Sequence, residues 1–90
     1  MKVEIVDVEA DSLSYTIEAG DFEDYELAFD LLLELMSRID FDPEKISVKR
    51  FSNTSHGIEV GPIYNKRKLE KIESLIKVMD LPDLRVFLNN

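Results

Sequence analysis

Apolar and polar residues alternate from the start of the chain, with Val3 and Ile5 on one face of an extended segment and Val6 and Val8 on the other. The phase slips between Ile5 and Val6, the mark of a β-bulge. After the polar turn Glu9-Ala10-Asp11-Ser12, alternation resumes with Leu13, Tyr15 and Ile17 inward and Ser14, Thr16 and Glu18 outward. The two segments are expected to pair as a hairpin. Gly20-Asp21 should break the second strand, and Asp21 followed by Asp24 resembles a capping box that opens a helix over residues 22 to 39. Glu23, Asp24 and Glu26 at its start and Arg38 at its end suit the helix dipole.

Helical periodicity puts Glu23, Glu26, Asp30, Glu34 and Ser37 on one narrow arc, and Phe22, Tyr25, Phe29, Leu31, Leu32, Leu33, Leu35 and Met36 over most of the rest. That apolar arc is roughly 200° wide, about twice the stripe that one sheet face covers. Leu27, Leu31 and Leu35 therefore need further cover, from the second helix, from a loop, or from a subunit or partner interface.

Asp40-Phe41-Asp42-Pro43 ends the helix, and Ile46, Val48 and Arg50 then alternate with Ser47, Lys49 and Phe51 in a third strand. The turn Ser52-Asn53-Thr54-Ser55 leads to a fourth, with His56, Ile58 and Val60 on one face and Gly57, Glu59 and Gly61 on the other; Gly61-Pro62 should stop it. A second helix follows over residues 65 to 80, with Leu69, Ile72, Leu75, Ile76 and Met79 forming a normal single stripe. Leu81-Pro82 ends it, and Leu84, Val86 and Leu88 make a last short strand. The order ββαββαβ predicts a single α+β domain over residues 1 to 90. Its architecture is an open two-layer sandwich, with two helices on one face of a five-stranded, mainly antiparallel sheet. Residues 12 to 90 alone have the βαββαβ order of ferredoxin-like folds, an analogy of element order only, with the first strand as an addition. A faint internal echo, Ile17-Glu18-Ala19-Gly20 against Ile58-Glu59-Val60-Gly61, recurs at the offset that maps Ala28, Leu31 and Leu35 onto Leu69, Ile72 and Ile76.

Charge changes this picture more than composition does. Residues 1 to 44 hold 14 acids against Lys2 and Arg38, and residues 45 to 90 hold 9 Lys or Arg against 5 acids, so segments of −12 and +4 make up the net −8. Charge sorted to this degree decides which partners approach the surface and which are repelled. The absence of Cys removes disulfides and thiolate metal sites. With no long apolar run and with acids in the first residues, no membrane span or signal peptide is expected, and a cytoplasmic protein is. A chain of 90 residues has a thin core, which self-association as a homodimer would support.

Catalytic constellations are missing. The one histidine, His56, follows Thr54-Ser55 in a turn whose neighbouring side chains point apart. Asp40, Asp42 and Glu44 alternate as cation ligands can, but Pro43 and the lack of a turn glycine spoil a calcium loop. No catalytic residue, metal site or cofactor is expected. One segment contradicts its own local rules: Asn65 should cap the second helix, and Lys66, Arg67 and Lys68 then fill a first turn that disfavours cations. With Lys71 one turn on, and Arg50 as an outlying member, they form a candidate anion site.

Two functions follow as expectations. The first is a small, non-catalytic interaction or regulatory protein that binds a basic partner or its own copy through Glu23, Glu26, Asp30 and Glu34 and the stripe Leu27, Leu31 and Leu35. An inhibitor that imitates nucleic acid is one specific form of it. The alternative is a module that binds nucleic acid or another polyanion through Asn65, Lys66, Arg67, Lys68 and Lys71.

Overall fold

The computed structural model describes residues 13–89. They form β1 (Ser14–Phe22), α1 (Tyr25–Arg38), a 3-10 turn (Pro43–Lys45), β2 (Ile46–Ser52), β3 (Ser55–Ile63), α2 (Lys66–Val78) and β4 (Arg85–Asn89). The strands make one antiparallel sheet in the order β2-β3-β1-β4, so β1 and β3 lie in the middle and each helix-connected strand pair is split by a strand of the other. The protein is thus α+β, with four strands among the described residues rather than the five of the predicted order ββαββαβ. The predicted first strand, residues 3 to 8, lies outside the described residues. Among the described residues β1 is paired on both sides, with β4 along Ser14–Glu18 and with β3 between Tyr15 and Phe22.

Two bulges explain where the predicted element ends were wrong. Between Ala19↔Ile58 and Phe22↔His56, β1 carries one residue more than β3, and Gly20-Asp21 absorbs it. Gly20 takes a φ of 104°, open to glycine and not to side chains, and its N–H donates to Pro82 O at 2.7 Å. The strand therefore runs on to Phe22, and α1 begins at Tyr25 instead of residue 22. Its N-cap is Asp24, which makes no side-chain cap bond, and Asp21 Oδ1 accepts from Ser55 Oγ at 2.7 Å instead of capping the helix. The second bulge lies on β3 between Val60 and Ile63, where Pro62 has no N–H for the ladder. Gly61-Pro62 is thus a bulge within the strand and not its end.

Ala28, Leu32 and Leu35 of α1 and Leu69, Ile72 and Ile76 of α2 are buried with Ile17, Ala19, Ile46, Ile58, Val60 and Ile63 of the sheet. Residues of both helices join one cluster with the same alternate strand positions, which places the helices on one side of the sheet. The internal echo has a geometric counterpart. Ile17 faces Val60, Glu18 faces Glu59 and Ala19 faces Ile58 across the central strands, so an approximate two-fold passes through the Glu18–Glu59 pair. Among the described residues no helix is long and apolar enough to cross a membrane.

Candidate functional site

The sheet face away from the helices neutralises itself. Glu18 and Glu59 stand directly opposite, a like-charge pairing that destabilises a sheet unless a cation intervenes. Lys49 supplies the cation: its Nζ lies 2.7 Å from Glu18 Oε2 and 3.2 Å from Glu59 Oε2. Arg85 reaches within 3.8 Å of Glu18 Oε1, and its guanidinium lies 4.9 Å from the centre of the Phe51 ring. Glu18 is consequently buried although it sits on the open side. Phe51 is stacked against Arg85 on this face, and Phe87, opposite Thr16 on β4, is 44% exposed there.

The hydrogen bond from Lys49 to Glu18, then that to Glu59 and the Glu59 charge, raise its pKa above the ordinary lysine value of 10.5. A group with a raised folded-state pKa contributes stability below the unfolded value and loses it as pH rises through the folded one. The urea midpoint should fall at alkaline pH above the normal lysine range, and Lys49→Met should lower the midpoint at neutral pH while flattening that alkaline decline. An equally steep decline in the variant would remove Lys49 as its source.

The outer surface of α1 is the second candidate. Glu26, Asp30 and Glu34 are exposed, as their arc predicts, Glu23 is exposed but precedes the helix, and Glu34 Oε2 pairs with Arg38 at 2.8 Å. The leucine stripe needs correction. Leu35 is fully buried and Leu31 packs against the core, leaving only Leu27 of the three substantially exposed, at 52%. The uncovered apolar edge is instead Tyr25, Phe29 and Leu33, one turn apart and each at least 39% exposed. The Tyr25 and Phe29 rings stack at 6.1 Å, and His56 meets Tyr25 edge-on at 6.2 Å. His56 Nδ1 lies 3.4 Å from Phe22 O, which makes it part of the bulge packing. Ala28, Leu32 and Leu35 are the buried residues of α1, and that orientation leaves Tyr25, Phe29 and Leu33 outside.

A cleft of about 470 Å³ separates the C-terminal end of α1 from the N-terminal end of α2. Four of the five predicted anion-site residues, Asn65, Arg67, Lys68 and Lys71, line it together with Arg38 and Asp40. Ile39, Ile72 and Leu75 supply apolar wall. Lys66 is not among the lining residues, and Arg50 belongs elsewhere, with its Nε donating to Ser52 O at 3.2 Å in the β2–β3 turn. Asn65 does cap α2: its Oδ1 accepts from Arg67 N at 2.8 Å and Lys68 N at 3.2 Å, which takes up two of the first-turn N–H groups an anion would have used. Lys68 Nζ donates to Asp40 O at 3.0 Å and lies 5.7 Å from the Phe41 ring centre. Arg38 is the member that sequence reasoning missed, since its approach to α2 depends on how the two helix ends pack.

Asp42 Oδ1 accepts from Glu44 N at 3.0 Å and so caps the 3-10 turn. Among the described residues no group of three or more His, Asp or Glu side chains is placed to hold a metal ion. Comparison of the chain with protein-family models, curated proteins and solved structures finds no match in any of the three.

Proposed function

We propose that the protein is a non-catalytic interaction module that docks through the outer surface of α1 onto a basic protein partner. The observation that carries this is the uncovered edge Tyr25, Phe29 and Leu33 beside the exposed acids Glu26, Asp30 and Glu34. Apolar side chains stacked on the surface supply contact area at little ordering cost, and the acid row steers a cationic partner toward them. An isologous dimer through the same surface would set each acid row against its own copy, an arrangement that like-charge repulsion disfavours. The row also constrains the nucleic-acid imitation. Acids four residues apart lie about 6 Å apart along the helix, against ~3.4 Å of axial rise per phosphate on a DNA strand. The charge is thus sparser than that of DNA, and a basic rim around an apolar groove fits better than a phosphate-reading surface.

The test is fluorescence anisotropy with a basic amphipathic helical peptide of leucines and lysines, titrated at low and high salt. Wild type should bind with marked salt dependence, Glu26→Lys with Asp30→Lys should abolish binding, and Leu33→Ser should weaken what persists at high salt. Binding that ignores both changes would remove α1 as the docking surface. Light scattering adds a check, because a salt-resistant dimer dissolved by Leu33→Asp would put a second copy there instead of a basic partner.

A further inference from the structure

We propose that the cleft between the ends of α1 and α2 binds a small organic phosphate, a phosphomonoester on an apolar or planar body. Arg38, Arg67, Lys68 and Lys71 converge there against the single carboxylate of Asp40, in a chain whose net charge is −8. Such a concentration of cations repels itself, and those in the first turn of α2 also oppose the helix dipole. Their positions make sense once an anion joins them.

Each cation is held differently. Arg38 is tied to Glu34, and Lys68 to Asp40 O and the Phe41 ring. Arg67 and Lys71 have no acidic partner among the described residues, and as neighbours one turn apart they can close on the same anion. Because the Asn65 side chain already takes the N–H groups of Arg67 and Lys68, recognition falls to these side chains and not to the helix terminus.

Shape selects the rest of the ligand. The cleft volume of about 470 Å³ lies within the range of small-molecule sites and is far more than a bare phosphate needs. A lone phosphate would leave the part-exposed Ile39 and Leu75 facing water, whereas an apolar or planar body covers them. A long polyanion fits less well, because a strand leaving the cleft along α1 would meet the exposed acid row from Glu34 back to Glu26.

The experiment titrates 15N-labelled protein with adenosine 5′-monophosphate, adenosine and inorganic phosphate, with affinities from calorimetry. The monophosphate should shift the amides of Ile39, Asp40 and Arg67 through Ile72, and adenosine should not. Inorganic phosphate should bind at least about tenfold more weakly. Arg67→Glu with Lys71→Glu should weaken the monophosphate by about tenfold or more while leaving the thermal midpoint unchanged or raised, since acids suit that turn. Peptide binding at α1 should survive the same change. No shifts with the monophosphate, shifts confined to other residues, or affinity unaltered by the double substitution would each overturn the proposal. So would a single-stranded oligonucleotide that binds more tightly than the monophosphate through the same residues, since the ligand would then be a polymer.

Discussion

Gly57→Ala should be among the most damaging single changes in the chain, with an expected loss of roughly 2 to 4 kcal/mol. A Cβ at Gly57 would fall inside contact distance of the Ala19 carbonyl oxygen, 3.0 Å from that of Gly20 and 2.6 Å from Cε2 of Phe51. Two of those obstacles are backbone, in the strand beside it, and cannot swing away as a flexible side chain would. Relief requires β1 and β3 to separate where they form the centre of the sheet, next to the Gly20-Asp21 bulge. The Phe51 ring lies across the space a side chain would fill and carries the Arg85 guanidinium, so the open face would be disturbed as well. A chain of this length has a total stability of about 5 to 13 kcal/mol, so the loss is a large share of it. Urea denaturation of the variant measures it directly, and a midpoint indistinguishable from wild type would mean that the strands do not approach as closely as described.

How much of this was legible in the sequence depends on whether local pattern or tertiary packing decides each feature. The alternation in residues 46 to 51 and 56 to 60 and the single apolar stripe of the second helix were legible, because burial on one face leaves a periodic trace. Those elements appear as β2, β3 and α2. Gly20-Asp21 and Gly61-Pro62 were misjudged for one shared reason. Glycine and proline mark a strand end and a bulge with the same residues, and only the partner strand tells them apart. The pairing of β1 with β4, far along the chain, leaves no local trace in residues 13 to 17 and was not legible there.

The first helix posed a harder problem, with more apolar residues than one sheet face can hide. Periodicity alone could not say which edge stays outside. Tertiary packing settles it, burying Ala28, Leu32 and Leu35 and leaving Leu33 outward. In the candidate cleft, the cations of α2 stood out because they violate dipole preference, whereas Arg38 looked like an ordinary helix-ending residue. Its role in the cleft depends on the antiparallel sheet bringing the two helix ends together, a long-range consequence of strand order.

The division of charge survives folding in an edited form. Lys49 and Arg85 from the basic segment neutralise Glu18 of the acidic one across the sheet, and the backbone of Asp40 receives Lys68. Glu26 and Asp30 of α1 on one surface, and Arg67 with Lys71 in the cleft beside its far end, are among the described residues that enter no ion pair. Two surfaces of opposite sign on one small domain can engage different partners, and substitutions at either leave the other in place.

Leu35→Ala tests the rotation of α1 on which the exposed edge depends. Leu35 is 0% exposed and packs in the cluster that joins α1 to the sheet, so truncation leaves a cavity and should cost about 2 to 5 kcal/mol. Leu27→Ala, at a position more than half exposed, should change stability by less than about 1 kcal/mol. The contrast matters because the periodic pattern assigns both residues to one stripe, and only the packing of α1 on the sheet separates them. If α1 were turned so that the whole leucine stripe faced outward, the two truncations would have similar and small effects on a monomer, and both would act on partner binding. Paired urea denaturation and peptide-binding measurements on the two variants decide it. A large stability loss at Leu35 with none at Leu27 fixes the helix face that meets the sheet, and with it Tyr25, Phe29 and Leu33 as the exposed apolar edge.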